Sequence, residues 1–372
     1  MSDKVLIAHV LHRFDVGGLE NGLVNLINRL PADEFDHAIV TMEGFNPEFA
    51  KRLNRDIPIY SADKKPGKDF GVYIRLYKIL RKIKPLIVHS RNLGAIEAQL
   101  PALLAGAKFR VHGEHGWDVY DPKGEVKKYQ QIRRVFSLLI HRFVPLSKEL
   151  ENYLLKKVGV PQRKIKRICN GVDLSRFSCE THSRPDDWPF DLNDVVFGCV
   201  GRLEPIKGHM DLLEAFQRLH SRLPEKKIKL CLVGDGSQRE RLALFVKENG
   251  LQEVVYFAGN RRDIPELMSV FDCFVLPSHA EGISNTILEA MASGLPVLAT
   301  RVGGNEDLVE EDVTGVLVEA RAPEKMADAM QTLAENAELR KNMSSQGKRR
   351  VHDFFSLQIM VDQYADLYRS LP

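Results

Sequence analysis

Apolar residues recur along the chain in two alternating patterns, short continuous runs and longer segments with helical spacing. Residues 4–10 and 37–42 are runs of the kind that form buried strands. Between them, apolar residues share one helix face, namely Leu19, Leu23, Leu26, Ile27 and Leu30. Further strands are predicted at 86–89, 109–112, 142–146 and 164–168. Because strands that alternate with helices form βαβ units, this half of the chain is predicted to hold a parallel sheet.

The pattern stops at residues 179–194, which are rich in proline, aspartate and serine and have no periodicity. Such a segment is typical of an interdomain linker. Strands of a second sheet are then predicted at 195–201, 228–234, 254–259, 271–277, 296–300 and 315–318. The sequence therefore predicts an α/β protein with two Rossmann-like domains, at 1–178 and 195–353.

Composition excludes several classes of protein. At 372 residues the chain is long enough for two such domains, and 44% hydrophobic with 28% charged residues is the profile of a globular protein. No apolar run approaches the roughly 18 residues of a membrane span, and the opening segment favours a first strand over a secretion signal, so we expect a cytoplasmic location. A net charge of +3 is too small to indicate nucleic-acid binding. The five cysteines form no C-x-x-C pair and are expected to be core residues.

Residues 278–308 carry the strongest chemical signal. The predicted strand 271–277 leads into a loop with Glu281, and a helix then opens that contains Glu289. The free N–H groups of a helix start attract phosphate, and a carboxylate nearby can accept hydrogen bonds from sugar hydroxyls. This combination predicts a nucleotide-sugar pocket. The residues expected to bind through the helix start are Gly282, Ile283, Ser284, Asn285 and Thr286.

Two other strand ends carry candidate phosphate-binding groups. Arg202 and Lys207 follow the strand 195–201 and precede a helix, and two cations there suit a diphosphate. The alternative is a solvated turn with surface charges. Gly17 and Gly18 follow the first strand and open a helix, so the backbone there could approach a donor phosphate or the acceptor. The alternative is a simple strand-to-helix turn.

Glu281 and Glu289 are separated by seven residues and followed by the run EAMASGLPVLAT. This arrangement resembles the Glu-x7-Glu signature of retaining glycosyltransferases of family 4. The resemblance implies a GT-B fold, in which two Rossmann-like domains face each other across a cleft and the terminal helix, 354–372, crosses back to the first domain. The segments VLHRFDVGGLENGLVNLINRL and GEHGWD make the wider chain similar to bacterial exopolysaccharide sugar transferases associated with the PEP-CTERM sorting system.

The resemblance implies a role for individual side chains of the second domain. Arg202 and Lys207 would stabilise the departing nucleoside diphosphate, and Glu289 would hold the ribose hydroxyls of the donor. Glu281 would lie near the transferred sugar, either binding its hydroxyls or supporting charge at the anomeric carbon. Arg261 falls at a strand end where family members place backbone contacts to the nucleotide base. Gly234, in the sequence Gly-Asp-Gly, is interpreted as part of a tight turn because a third glycine is missing.

In the first domain, His115 stands beyond the strand 109–112, where family 4 enzymes carry a histidine that hydrogen-bonds the transferred sugar. His112 is the competing candidate. The helical segment 123–143 combines basic and apolar residues, so it could rest on an anionic membrane surface at the inner face of the cytoplasmic membrane. The alternative is that its apolar side packs into the domain.

The function that follows is a retaining glycosyltransferase that moves a sugar from a nucleotide-diphosphate donor to a carbohydrate or lipid-linked acceptor. Exopolysaccharide or other cell-surface glycan biosynthesis is the expected setting. No cofactor and no metal are expected, because the chain has no Asp-x-Asp, the usual metal clamp of the other major transferase fold. The alternatives are a nucleotide-sugar epimerase of the same shape and a non-catalytic scaffold subunit that binds nucleotide sugar.

Overall fold

The computed structural model describes residues 4–118, 121, 123–177 and 183–371. It divides into two compact units, one made of Met1–Gly171 with Leu357–Pro372 and the other of Val172–Ser356. Within the described residues, each unit holds one six-stranded sheet whose paired strands are parallel. The predicted α/β class with two Rossmann-like domains is therefore confirmed.

The N-terminal unit has the strand order β3-β2-β1-β4-β5-β6. Its strands are β1 Val5–Leu11, β2 Phe35–Thr41, β3 Ile59–Ser61, β4 Ile87–Arg91, β5 Phe109–Glu114 and β6 Arg142–Pro145. Its helices are α1 Gly18–Arg29, α2 Pro47–Ala50, α3 Gly71–Ile83, α4 Leu93–Ile96, α5 Gln99–Ala105, α6 Lys127–Ser137 and α7 Lys148–Tyr153. Side chains of a strand alternate between the two faces of the sheet, so Ile7 packs with α1 whereas Ala8 packs with α3 and α5.

The C-terminal unit has the strand order β12-β11-β10-β7-β8-β9. Its strands are β7 Val195–Val200, β8 Ile228–Val233, β9 Val255–Gly259, β10 Cys273–Leu276, β11 Val297–Thr300 and β12 Gly315–Val318. Its helices are α8 Leu174–Phe177, α9 His209–Arg222, α10 Arg239–Glu248, α11 Ile264–Met268, α12 Asn285–Ala292, α13 Asn305–Leu308, α14 Pro323–Glu335 and α15 Ala337–Phe354. Its core joins the sheet to the apolar faces of α9 and α14.

The last helix, α16 (Leu357–Arg369), belongs to the N-terminal unit although it follows the C-terminal unit in the chain. Its buried face includes Met360, Tyr364 and Tyr368, which pack against Ile7 and Phe35 of the first sheet. The Tyr368 hydroxyl also lies 2.8 Å from Nδ1 of His89 on β4. The return of the terminal helix to the first domain, which the resemblance implied, is therefore present.

The division between the units lies earlier than the sequence pattern predicted. It falls between Gly171 and Val172 rather than at 178, and the described part of the predicted linker, 183–194, belongs to the C-terminal unit. The physical reason is an aromatic cluster, because Trp188 stacks edge-on with Phe190 and Tyr256 and also contacts Phe271. A segment rich in Pro and Asp is thereby anchored by two aromatic residues. The rest of that linker, 179–182, lies outside the described residues.

Three smaller predictions can also be compared with the structure. Residues 164–168 form no strand, and only Ile165 makes an isolated bridge, to Phe143. Three cysteines lie buried on strands as expected, namely Cys199, Cys231 and Cys273, and Cys169 is partly buried, whereas Cys179 lies outside the described residues. No helix in the described part of the chain is long and apolar enough to cross a membrane.

Candidate functional site

The site in the C-terminal unit is assembled at the carboxyl ends of three neighbouring strands. β10 pairs with β7 on one side and with β11 on the other, so the loops after these three strands meet at one edge of the sheet. The chain enters the sheet at β7, continues outward to β8 and β9, and then returns to the other side of β7 as β10. Ligands of parallel α/β sheets bind at such a reversal of strand order.

Glu281 lies at this edge of the sheet, in the loop after β10. Its Oε1 accepts hydrogen bonds from Lys207 Nζ at 2.6 Å and from Ser278 Oγ at 2.6 Å. The Glu281 side chain is mostly buried, and Lys207 is somewhat more accessible. Among the described residues both of these hydrogen bonds end on Oε1, so Oε2 can accept a hydrogen bond from a hydroxyl group. The structure thus joins two predicted residues that are 74 positions apart.

Two glycines allow the loop that carries Glu281 to lie close to its neighbours. Gly208 has φ +68° and Gly303 has φ +56°, a region that favours glycine. A Cβ atom at Gly208 would lie 2.0 Å from the Pro277 carbonyl oxygen, and one at Gly303 would lie 2.0 Å from the Glu281 carbonyl oxygen. The loop after β10 is therefore held between the loops after β7 and β11, which fixes the position of Glu281.

The start of α12 forms the second wall of the site. Ser284 is the N-cap, and its Oγ accepts a hydrogen bond from the Ile287 N–H at 3.3 Å and lies 3.0 Å from Thr286 Oγ1. The Ile283 side chain is buried, and Asn285 and Thr286 are half-buried. Amides of a first helical turn have no acceptor within their helix, so this end of α12 suits an anion. Gly282 connects it to the turn after β11, because its carbonyl accepts the Gly304 N–H at 2.8 Å.

Glu289 lies one turn into α12 and is half-buried. Burial raises the pKa of Glu289 to about 7, and the positive charge of Arg176 counteracts part of that effect. A carboxyl group with this pKa exchanges its proton near neutral pH, so it can either donate or accept a hydrogen bond. This is a property of binding and catalytic carboxyls more often than of surface charges.

Arg202 is exposed on the loop after β7, and it has no direct hydrogen bond or ion pair with Lys207 or Glu281 among the described residues. The loop itself is rigidly supported. A Cβ atom at Gly234 would lie 2.1 Å from the Gly201 carbonyl oxygen, and Leu203 N–H donates to the Asp235 carbonyl at 2.9 Å. The Gly-Asp-Gly segment therefore packs closely against this loop.

Arg261 lies just after β9, at the edge of the sheet, and is engaged by two carboxylates. It donates to Asp263 at 2.8 and 2.6 Å and to Asp187, with one of those contacts at 3.0 Å. The guanidinium thus ties the segment before β7 to the start of α11. The backbone contact to a nucleotide base stays a prediction.

In the N-terminal unit, Gly17 and Gly18 precede and open α1 as predicted. Gly17 is the N-cap and has extended backbone, so it is not required by a left-handed conformation. A Cβ atom there would meet only the end of the Glu20 side chain, at 2.2 Å from Oε2. Gly18 is exposed. Asn21, on the next turn, accepts a hydrogen bond from Arg52.

The structure distinguishes between the two candidate histidines. His112 is fully buried, with Nδ1 2.7 Å from Ser90 Oγ and Nε2 3.3 Å from Glu114. Glu114 is also buried and forms an ion pair with Arg133 at 2.6 Å, and although burial opposes ionisation, these partners hold the pKa of Glu114 at about 2. His112 is therefore part of the structural core.

His115 lies beyond the end of β5 and borders a narrow cavity with room for about one water molecule. The cavity is also lined by Arg91, Asn170 and Tyr364. Burial, together with the charge of Arg91, lowers the pKa of His115 to about 3, so its imidazole is neutral. Its Nε2 has no hydrogen-bond partner within the described residues, and its backbone N–H donates to Asn92 Oδ1 at 2.7 Å.

The sequence analysis assigned no role to Arg91, Ser278 or the pair His279 and Asp211. Arg91 is buried at the end of β4, and its Nη1 lies 3.1 Å from Nδ1 of His9. His279 Nε2 lies 2.8 Å from Asp211 Oδ2, beside the loop that carries Glu281. A charged or polar residue directly after a buried strand is the signal that could have found Arg91 and Ser278. Within the described residues, no group of three or more His, Cys, Asp or Glu could hold a metal ion.

Two family models match adjoining parts of the chain. The model described as Glycosyltransferase Family 4 matches residues 16–176, and the model described as Glycosyl transferases group 1 matches residues 182–350. The chain is 28% identical to UDP-Gal:alpha-D-GlcNAc-diphosphoundecaprenol alpha-1,3-galactosyltransferase of Escherichia coli, over 98% of this chain and 97% of that protein. It is 27% identical to N-acetyl-alpha-D-glucosaminyl L-malate synthase of Bacillus anthracis, over 83% and 81%.

Solved structures share the fold. A glycosyltransferase from Rickettsia africae superposes with a TM-score of 0.82 at 21% identity, covering 99% of each chain. Anabaena HepE in complex with UDP superposes with a TM-score of 0.81 at 19% identity, covering 98% of this chain and 99% of HepE. The family 4 model matches the N-terminal part of the chain and the group 1 model the C-terminal part, and the relative from Escherichia coli is similar over nearly the whole length, so the chain is a glycosyltransferase. The solved structures show that its fold is of the GT-B type.

Proposed function

We propose that this glycosyltransferase transfers a sugar from a UDP-linked donor to a lipid-linked carbohydrate acceptor and retains the anomeric configuration. The relative from Escherichia coli is named for a UDP-galactose donor and a diphosphoundecaprenol-linked acceptor, and HepE is described in complex with UDP and with UDP-glucose. Synthesis of a cell-surface glycan at the inner face of the cytoplasmic membrane is the setting that fits such an acceptor. The narrower assignment to exopolysaccharide transferases of the PEP-CTERM type stays a prediction.

The observation that carries the proposal is the group formed by Lys207, Glu281 and Ser278 beside the start of α12. A cation and a helix start favour a diphosphate, whereas a carboxylate with one oxygen left to accept favours a sugar hydroxyl. A nucleoside-diphosphate sugar has both groups within one molecule. We infer that the diphosphate lies toward Lys207, Arg202 and the α12 amides, and that the sugar lies toward Glu281.

Glu289 is proposed to hold the ribose. In its ionised form, the carboxylate can accept hydrogen bonds from two neighbouring hydroxyls at once. Its pKa of about 7 means that binding of the donor and loss of the Glu289 proton are coupled near neutral pH. In the N-terminal unit, we propose that the neutral imidazole of His115 hydrogen-bonds a hydroxyl of the transferred sugar. Asn92 positions His115, because its Oδ1 accepts a hydrogen bond from the His115 backbone N–H.

We propose a reaction on one face of the sugar. The bond between the anomeric carbon and the diphosphate oxygen breaks while the acceptor oxygen bonds to that carbon, and the acceptor hydroxyl proton passes to the leaving phosphate oxygen. Negative charge then grows on the diphosphate, and preorganised cations at that position lower the barrier. Because Lys207 and Arg202 supply this charge, we propose that transfer requires no metal ion.

The test is a transfer assay with a panel of UDP-, GDP- and ADP-sugars and a sugar linked by diphosphate to a short polyprenyl chain. The anomeric configuration of the product is read by NMR, and retention with a UDP-sugar is the expected result. An inverted product would overturn the retaining mechanism. Conversion of the donor to an isomer in the absence of acceptor would indicate an epimerase, and donor binding without any turnover would indicate a scaffold.

Lys207→Met tests the mechanism within the same assay. We expect turnover to fall by about 10²- to 10³-fold, the effect of losing one preorganised group that stabilises developing charge. Lys207→Arg should recover part of the rate, since a cation is restored. Lys341→Met is the matched control, because Lys341 is exposed on α15 in the same unit. Equal turnover of the Lys207→Met and Lys341→Met variants would contradict the proposal.

A further inference from the structure

The outer faces of α3 and α5 in the N-terminal unit expose an apolar surface. Phe70, Ile74 and Tyr77 follow one another at helical spacing along α3, with exposed fractions of 76%, 61% and 37%. Leu100 and Leu104 of α5 are 46% and 64% exposed. We call this set, together with Leu103, the α3–α5 patch. Isolated exposed apolar residues are normal, but six on two adjacent helices are not.

The two helices present this patch in the same direction. Val72, Leu76 and Leu80 of α3 pack into one cluster with Ala98 and Ala102, at and after the start of α5, against the same face of the sheet. Because each helix buries the side opposite to its exposed apolar residues, both exposed faces point away from the sheet. The side chain of Arg81 also comes close to Gly106 at the end of α5, which places the helices side by side. The exposed apolar residues therefore lie on adjacent helices that cover the same face of the sheet.

Positive charge surrounds the patch. Residues 70–84 contain five basic side chains and no Asp or Glu, although Arg75 is paired with Asp69 just before them. Residues 98–109 contain Lys108, and Glu97 before them accepts a hydrogen bond from Tyr73. Lys78 and Lys82 are exposed beside Ile74 and Tyr77. An apolar face with a basic border is complementary to a bilayer that contains anionic lipids, since apolar side chains enter the acyl boundary while lysines remain at the headgroups.

The helix that the sequence offered as a candidate for membrane contact is less suited to this role. Arg133 of α6 is buried and paired with Glu114, and Arg134 donates to the Val158 carbonyl at 2.8 Å. Val135 and Leu138 are exposed, but two of the four cations that made this helix basic are thus engaged by the protein. The charge that remains accessible is greater around the α3–α5 patch.

We propose that the α3–α5 patch is the surface by which this protein binds an anionic lipid bilayer. This inference goes beyond the proposed function, because it assigns a membrane-binding surface that sugar transfer does not itself require. Insertion of Ile74 and Leu104 would provide the apolar contribution, and Lys78 and Lys82 the electrostatic one. Such a surface would bring the enzyme to the membrane in which a lipid-linked acceptor is embedded.

The experiment is flotation of the full chain with vesicles of phosphatidylcholine alone or mixed with phosphatidylglycerol. We expect binding to the mixed vesicles that weakens with added salt, and much weaker binding to phosphatidylcholine. The double variant Ile74→Ser with Leu104→Ser should reduce binding to mixed vesicles by at least about tenfold, since two apolar side chains lose their burial. Lys78→Gln with Lys82→Gln should reduce it by about fivefold per lysine at low salt.

Two controls make the result specific. Val135→Ser with Leu138→Ser changes the exposed apolar residues of α6, and Leu244→Ser changes an exposed apolar residue of the C-terminal unit, so both should bind as the unchanged protein does. Loss of binding only in the α6 variant would overturn the proposal in favour of that helix. Equal binding of all variants, or no binding to mixed vesicles, would overturn it outright.

A second copy of the chain is the rival occupant of the patch. Light scattering after size exclusion tests it, and a dimer that the Ile74→Ser and Leu104→Ser variant dissociates would overturn membrane binding as the role. Turnover with a water-soluble acceptor analogue separates this proposal from the proposed function. The patch variants should keep that turnover, since none of their positions lies among the residues proposed for catalysis or donor binding.

Discussion

Glu289→Gln tests how burial and donor binding are linked at one side chain. Burial raises the pKa of Glu289 from its ordinary value of 4.5 to about 7. At about 1.36 kcal/mol per pKa unit, this corresponds to an upper bound of about 3 kcal/mol. Because the side chain keeps some contact with solvent, we expect the glutamine to stabilise the C-terminal unit by about 1 to 2 kcal/mol above neutral pH.

The direction in which Glu289 changes stability with pH follows from proton binding to its carboxyl group. Between pH 4.5 and about 7, the folded state holds the Glu289 proton more tightly than the unfolded state does, so this group makes stability fall as pH rises. The gain from Glu289→Gln should therefore be small near pH 4.5 and complete above pH 7. For a unit of this size, it corresponds to a rise in Tm of roughly 2 to 4 °C per kcal/mol.

Donor binding should change in the opposite sense. The ionised carboxylate accepts ribose hydroxyls, so the affinity of the unchanged protein for a UDP-sugar should rise as pH increases through about 7. Glutamine should weaken that affinity by at least about tenfold above neutral pH and remove the dependence, since a hydrogen bond to a charged group is worth about 1.5 to 3 kcal/mol. A UDP-sugar is the right probe, because the terminal phosphate of UDP itself titrates near pH 6.

Calorimetric titration and urea unfolding across this pH range make the measurement, with Glu248→Gln as the control on an exposed helical position of the same unit. The control should change neither quantity. The reasoning is refuted if Glu289→Gln leaves donor affinity unchanged, or if its effect on stability is the same at acid and at alkaline pH.

Two further predictions concern the framework of the protein. Gly303→Ala should destabilise the C-terminal unit by about 2 to 4 kcal/mol, because its Cβ would meet the Glu281 carbonyl oxygen in a left-handed backbone. Gly347→Ala, with ordinary contacts inside α15, should be neutral or stabilising by up to about 1 kcal/mol, since alanine favours a helix interior. Equal melting of the two variants would contradict the tight approach at Gly303. The N-terminal unit should lose stability as pH falls below 6.5, since the unfolded state then binds protons that the folded state excludes. Amide hydrogen exchange of β1 and β4 measures this effect, and equal protection of these amides at neutral and mildly acid pH would refute it. The histidines responsible, whose pKa values burial lowers most, are His9, His37, His89 and His115.

Much of the fold could be predicted from local patterns. Eleven of the twelve strands in the described residues coincide with predicted apolar runs. A strand that is buried on both faces needs apolar residues at nearly every position, so its sequence shows a continuous apolar run. β3, Ile59–Ser61, was missed because its three residues are only half-buried at the sheet edge. Residues 164–168 were also predicted as a strand, but among the described residues only Ile165 pairs with the sheet, in an isolated bridge to Phe143.

The candidate site likewise has features that the sequence could predict and features that it could not. The loop with Glu281 and the helix with Glu289 could be located from one continuous segment, because a strand, a glycine-containing loop and a capped helix leave local signals. The sequence could not indicate that Lys207 contacts Glu281, that Ser278 shares the same carboxylate oxygen, or that Arg261 is held between two aspartates. It also left His112 and His115 as alternatives, and only their different surroundings separate them.

By itself, the sequence determined the class of the protein, the run of strands and helices, and the segment that carries the chemistry. The tertiary structure alone decided which residues share the site, where the units divide, and which apolar helix faces remain exposed. The physical reason is that periodicity encodes the burial and backbone state of neighbouring residues. Contacts between distant residues depend instead on strand order, which places β10 beside β7 and thereby brings Lys207 to Glu281.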